Sequence, residues 1–231
     1  TPSTYGHDNR PMLDGLAALG TDSRGVAVID GSESDAELQA LHEAGVRGIR
    51  LNLSLGVTGS LAQLESLSDR IADLGWHLQL LMPAEQLADA GQRLAQLPVP
   101  VVFDHFARLS PDAAFHHPAH ALVLRLQAQG KAWVTLSGGY IVSPRHDTRD
   151  PALTPLARSL IQNAPERVVW GSDWPHATAS AGTHPWPDDA AQLDALAHWA
   201  QTPSRLRQIL VDNPAALYGL PAADAVHAYL D

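Results

Sequence analysis

Short apolar runs and longer segments of helical spacing alternate along the whole chain. The runs fall at 25–30, 46–53, 76–82, 99–105, 132–138 and 167–173, each bounded by Gly, Pro, Asn or Ser, and they read as six strands. Between them, Leu61, Leu64, Leu67, Ile71 and Leu74 recur every three or four positions before Gly75, which gives one apolar helix face and its stop signal. Leu38, Leu41 and Ala44 do the same before Gly45, and Leu87, Ala90, Leu94 and Leu97 before Pro98. Leu122, Leu124 and Leu126 belong to a helix closed by Gly130, and Leu193, Leu196 and Trp199 mark a long helix after the last strand. One more helix, roughly Asn9 to Leu19, precedes the first strand.

Six strand–helix units in unbroken alternation predict an α/β fold, a parallel sheet covered by helices. Two architectures compete, an open doubly wound sheet and a (β/α)8 TIM barrel. The open sheet usually carries a glycine-rich phosphate loop after its first strand, and neither G-x-G-x-x-G nor G-x-x-x-x-G-K-[ST] occurs in this sequence. The barrel places polar residues at the carboxyl ends of its strands. Arg50, Asn52, His105, Ser137 and Asp173 fall at such ends, so the barrel is the expectation. It requires two further strands ahead of residue 24.

Composition narrows the function. With 15 Lys and Arg against 25 Asp and Glu, the 231 residues carry a formal charge of −10, which repels nucleic-acid backbones and anionic lipid. The absence of Cys removes disulfides, thiolate metal sites and Cys nucleophiles. No apolar run approaches the length of a membrane span, and the first residues lack a basic-then-apolar leader. A cytoplasmic enzyme with a small-molecule substrate, no nucleic acid and no membrane partner is expected, and a homo-oligomer is left open.

Four segments could carry chemistry. In Val168-Val169-Trp170-Gly171-Ser172-Asp173-Trp174-Pro175-His176 an apolar strand runs straight into a carboxylate, with Asp173 at the barrel mouth; a helix-capping Asp173 and a surface His176 are the plain alternatives. In Val101-Val102-Phe103-Asp104-His105, alternation puts His105 on the face of Val101 and Phe103, and turns Asp104 the other way, toward a neighbouring loop. His105 could polarise a carbonyl or ligate a metal, or it could simply bond a loop carbonyl. Arg50 suits a substrate carboxylate, or an internal ion pair with a strand-end Asp. After Ser137-Gly138-Gly139, Tyr140 could bond substrate or pack over the mouth. His116, His117 and His120 fit no metal motif and read as surface residues, and His77, which opens its strand, belongs to the opposite, stability end.

These segments, with Ser3-Thr4-Tyr5-Gly6-His7-Asp8-Asn9, Gly45-Val46-Arg47-Gly48-Ile49-Arg50 and Asp212-Asn213-Pro214-Ala215-Ala216-Leu217-Tyr218, resemble the amidohydrolase superfamily, in the branch of 2-pyrone-4,6-dicarboxylate lactonase and sugar lactonases. The resemblance runs from Ser3 to Tyr218. It implies that residues 1–231 form a single TIM-barrel domain, N-terminally incomplete, with strand one and most of strand two missing. By the same resemblance Asp173 matches the catalytic Asp of strand eight, His105 the His of strand six, Arg50 a carboxylate-binding Arg, and Ser3 and Tyr5 a loop after strand two. Substrate contacts are expected from Arg50, Tyr140, Tyr5, Ser137 and His176.

Departures from the family pattern refine this. The H-x-H of strand one has no counterpart, and Gln79 and Leu81 stand where metal-dependent relatives carry a His. The cofactor expectation is therefore none, or one divalent metal ion such as Zn, held by Asp173 and His105. Gly139, Tyr140 and Ile141 follow the strand-seven Ser-Gly where the lactonase has an Arg. The resemblance implies a metal-independent or mononuclear-metal hydrolase that opens a lactone by water attack with Asp173 as base. A decarboxylase of unsaturated or aromatic acids and a binding-only barrel are the alternatives.

Overall fold

The computed structural model describes residues 5–54 and 60–221. Its six strands are β1 (Gly25–Ala27), β2 (Val46–Asn52), β3 (His77–Leu81), β4 (Val101–Phe103), β5 (Ala132–Leu136) and β6 (Val168–Trp170). All pairings are parallel and the sheet order is β1-β2-β3-β4-β5-β6, so each strand lies beside its successor, as in a barrel wall. Among the described residues the sheet is open, a partial (β/α) barrel. The six predicted strands coincide with the six observed, trimmed by one to four residues at their ends.

Helices α1 (Arg10–Leu19), α2 (Asp35–Glu43), α3 (Leu64–Ala72), α4 (Ala84–Asp89), α5 (Gly91–Gln96) and α6 (Pro118–Ala128) lie in the first part of the chain. The short α7 (Gly139–Val142) follows β5 and is succeeded by α8 (Leu153–Asn163), which sequence patterning did not single out. After β6 come α9 (Ala177–Ser180), α10 (Asp189–Ala200), α11 (Pro203–Arg207) and α12 (Asn213–Tyr218). Local chemistry explains several starts. Ser34 and Glu37 form a reciprocal capping box on α2, and His117 caps α6 by accepting the Ala119 N–H ahead of Pro118. The segment predicted as one helix around Leu87–Leu97 splits at Ala90, where Gly91 packs under Leu122.

The main core lies between sheet and helices. Ile49, Leu51, Leu78, Leu80, Val101, Phe103, Val134 and Leu136 point outward onto Leu64, Leu67, Ile71, Leu87, Leu122, Leu126, Leu156 and Leu160. The inner face holds a second, smaller cluster of Val102, Trp133 and Val169, with Leu217 of α12 packed against it. Asn213 fastens α12 by donating to the carbonyls of Pro165 (2.7 Å) and Val168 (2.6 Å), at the start of β6. The D-N-P-A-x-L-Y segment thus closes the amino-terminal end of the strands. His77 lies at that end, as expected, buried edge-on against Tyr218 with ring centroids 5.3 Å apart. A Cβ at Gly48 would sit 2.5 Å from the His77 ring, so glycine there is what admits it. Burial brings His77 down to about 4. His120 departs from the surface expectation, being buried and bonded to Ser159 (3.0 Å).

Candidate active site

At the carboxyl ends of the strands a cleft of about 610 Å³ opens on the inner face of the sheet. Its floor and walls draw on all six strands or the residues just after them: Val26, Arg50, Gln79, Asp104, Thr135, Ser137, Gly171 and Asp173. His105 and Asp173, expected at one common cleft, meet there: His105 Nε2 lies 3.6 Å from Asp173 Oδ1.

Asp173 is held from two sides. Tyr140 donates its hydroxyl to Asp173 Oδ2 at 2.6 Å, while His105 approaches Oδ1. Burial and the donated hydrogen bond raise the Tyr140 phenol well above its usual range, so it remains a donor. His105 Nδ1 is 2.8 Å from Ser137 Oγ. Burial lowers the His105 pKa against the opposing pull of Asp104 and Asp173, which favours a neutral ring at pH 7. The facing carboxylate assigns the tautomer: with Nε2 protonated and Ser137 donating to Nδ1, a donor points at Asp173 and the open cleft. A Cβ at Gly138 would come within 2.8 Å of Nδ1, and its φ is +57°, so glycine is required on both counts.

His105 reaches this position through an unusual turn. Four successive non-glycine residues, His105, Phe106, Ala107 and Arg108, have φ of 49°, 55°, 55° and 57°. The left-handed turn swings His105 off the outward parity of Val101 and Phe103 and delivers Arg108 to the cleft as well. Phe106, fully buried against Trp199 with centroids 5.5 Å apart, and Ala107 hold it from the outer core.

Across the cleft, Asp104 corrects the sequence expectation that it faces away toward a loop. It points inward, forms a salt bridge with Arg50 (3.1 Å) and accepts from Gln79 Nε2 (2.7 Å). Arg50 therefore realises its internal-ion-pair alternative while still lining the cleft. The strand-period argument failed because Val101, Val102 and Phe103 are all apolar and buried, so the pattern could not say which parity faces inward. Polar Gln79 in the middle of β3, paired in register with Arg50 and Val102, was the available signal.

The remaining expected residues are placed differently. Ser137 lines the cleft. Tyr140 stands behind Asp173, 1% exposed. His176 is buried rather than on the surface; it bonds Asp189 through Nε2 (3.2 Å) and meets the Tyr140 ring edge-on. Tyr5 is half exposed and is not among the cleft-lining residues. Ser3 lies outside the described residues. Arg108, which sequence reasoning missed, lines the cleft; burial pushes its pKa down while Asp173 pulls it up, and no salt bridge within 4 Å engages it among the described residues.

Asp173 and His105 offer two donors toward a metal, one of them already bonded by Tyr140. Among the described residues no group of three or more His, Cys, Asp or Glu side chains converges. A catalytic zinc takes about three protein ligands. These residues alone do not fit such a site, and no step below is routed through one.

A family model described as Amidohydrolase matches residues 1–220. The chain is 34% identical over 226 residues to 2-pyrone-4,6-dicarboxylate hydrolase of Comamonas testosteroni, covering 93% of this chain and 72% of that protein. It is 29% identical over 228 residues to 4-sulfomuconolactone hydrolase of Hydrogenophaga intermedia, covering 97% and 74%. An apo crystal structure from Agrobacterium tumefaciens superposes with a TM-score of 0.84 at 26% identity, over 96% of this chain and 79% of that one. The chain belongs to the amidohydrolase family, as its motifs led us to expect, and with it to the hydrolase-type enzymes of that superfamily. No helix among the described residues is long and apolar enough to cross a membrane.

Proposed function

We propose that the cleft hydrolyses a lactone that carries an anionic substituent. The observation that carries this reading is Asp173 fixed between the Tyr140 hydroxyl and His105, with the Arg108 guanidinium opening onto the same space. Hydrolase relatives acting on a pyrone dicarboxylate and a sulfomuconolactone support the substrate class.

In this mechanism a water attacks the lactone carbonyl carbon as Asp173 takes its proton. The carbonyl oxygen becomes an oxyanion opposite the Nε2–H of His105, which is held in register by Ser137. Collapse of the tetrahedral intermediate breaks the ring C–O bond. The departing alkoxide recovers the proton from Asp173, leaving an open-chain hydroxy acid. Tyr140 keeps one Asp173 oxygen bonded throughout, so the other faces the water. His176 and Asp189 hold the Tyr140 ring from behind.

The test is turnover of a lactone panel by the native chain and by Asp173→Asn, which preserves size and the Tyr140 contact. Loss of the base is expected to lower kcat about 10²- to 10⁴-fold with the circular-dichroism spectrum unchanged. Near-normal turnover by Asp173→Asn would refute the mechanism. Release of carbon dioxide instead of ring opening would replace it with decarboxylation, and binding without any turnover would leave a binding-only barrel.

A further inference from the structure

We infer that the cleft selects a lactone with a single anionic group, seated on Arg108, and an apolar substituent laid against the wall of Ile141, Trp174, Pro175, Ala177 and Ala181. The inference rests on the lactone reading above and narrows it to a substrate class.

The argument begins with which cations are free. Three arginines line the cleft: Arg24, Arg50 and Arg108. Arg24 is spent on backbone, donating to the carbonyls of Thr21 (2.5 Å), Ser23 (2.8 Å) and Gly219 (2.8 Å). Arg50 is neutralised by Asp104, and that pair is enclosed, with side chains only 13% and 3% exposed. Drawing Arg50 onto a ligand would strand the Asp104 carboxylate in a buried site, which opposes a second anion there. His105 is neutral and faces Asp173. Arg108 is left as the lining cation with neither a hydrogen bond nor a salt bridge among the described residues, and its electrostatic neighbour is the Asp173 carboxylate that takes up the water proton.

Shape and polarity supply the second half. The loops that follow β5 and β6 bring Ile141, Trp174, Pro175, Ala177 and Ala181 to the cleft with no charged side chain among them. Trp174 is 75% exposed at the rim and engages in no ring contact among the described residues. A substituent that leaves the ring on this side exchanges water for apolar surface, whereas a second carboxylate directed there would find only neutral donors, the Trp174 indole and the Thr178 and Thr183 hydroxyls, among the described lining residues of these loops.

A matched set of five-membered lactones tests this with the full chain: unsubstituted γ-butyrolactone, its monocarboxylate (paraconate), the pentyl-substituted monocarboxylate, and the dicarboxylate (isocitric lactone). Both kcat/KM with the native chain and calorimetric binding of the intact lactones to Asp173→Asn are measured. The pentyl monocarboxylate should lead, with the dicarboxylate at least about tenfold weaker. Arg108→Leu should shrink the advantage of the monocarboxylates over γ-butyrolactone about 10- to 100-fold, whatever it does to turnover in common through Asp173. Ala177→Glu should erase the advantage of the pentyl group. Asp104→Asn, which frees Arg50, should improve the dicarboxylate relative to the monocarboxylate; Arg108→Leu keeps the inference falsifiable should that variant fold poorly. Preference for the dicarboxylate in both turnover and binding would overturn the inference and leave lactone hydrolysis standing. The predicted binding order without any turnover would uphold the substrate class and overturn hydrolysis. Absence of binding to every member would overturn both.

Discussion

On the β2–β4 side of the cleft, Arg50, Gln79 and Asp104 bond to one another; on the β4–β6 side, His105, Ser137, Tyr140 and Asp173 also bond to one another. The first group closes on itself, charge against charge, and the atoms it leaves without a hydrogen bond, Arg50 Nε and Asp104 Oδ2, are buried. The second keeps one Asp173 oxygen and one imidazole N–H directed at open space, with the Arg108 guanidinium, unbonded among the described residues, nearby. Polar residues at equivalent strand ends therefore serve two ends: one set fixes the shape of the barrel mouth, the other is poised for a reaction. Membership of the site is decided by unfinished bonding that faces open space, not by position alone.

The largest expected effect is on the closed side. Arg50→Met leaves Asp104 buried without its cation and should cost about 3–5 kcal/mol in denaturant unfolding. Adding Asp104→Leu to it should recover most of that loss. If the double variant were as unstable as the single one, the pair would not be the self-contained unit described here.

A second effect distinguishes the carboxyl from the amino-terminal end of the strands. His77 is held at about 4, below its unfolded value near 6.5, so the unfolded chain binds more protons between these limits. Its contribution is fully present above about pH 6.5 and is withdrawn as pH falls toward 4, by about 3 kcal/mol. His77→Phe, filling the space over Gly48, should flatten that slope in urea melts at pH 7 and 4.5. An unchanged slope would place the acid sensitivity elsewhere.

The smallest effects belong to the supports of the reactive side. His105→Asn should lower kcat about 10- to 100-fold, and Ser137→Ala, which releases the imidazole tautomer, by about tenfold or less, with melting temperatures close to the native one. A larger loss from Ser137→Ala than from His105→Asn would contradict the assigned order of support.

The outer layer of the molecule was legible in the sequence and the inner layer only in part. Leu64, Leu67 and Ile71 announce a helix face because burial against the sheet imposes a period of 3.6, and the strand runs announce themselves by composition. Asp173 and Ser137 were legible as polar groups ending apolar strands. Asp104 and Arg108 were not. Asp104 follows three consecutive apolar residues, so no alternation marks which way it points, and Arg108 owes its place to a backbone conformation that its sequence, His105-Phe106-Ala107-Arg108, does not advertise. Left-handed geometry is normally signalled by Gly or Asn, and none is present in that stretch. His176 was misplaced for a related reason: its φ of 57° turns the ring inward, where a loop residue after Pro would ordinarily face water.

The left-handed turn at residues 105–108 behaves like a loaded spring. Each of its residues sits about 1–2 kcal/mol above the right-handed alternative, so the turn relaxes wherever its restraint is removed. The restraint is the Phe106 ring, seated against Trp199 of α10 on the far side of the sheet. A helix that contributes no residue to the cleft thereby keeps both the imidazole and the guanidinium aimed into the cleft of Asp173. Slack introduced at Trp199 would be felt first as a loss of aim, and only afterwards as a loss of fold.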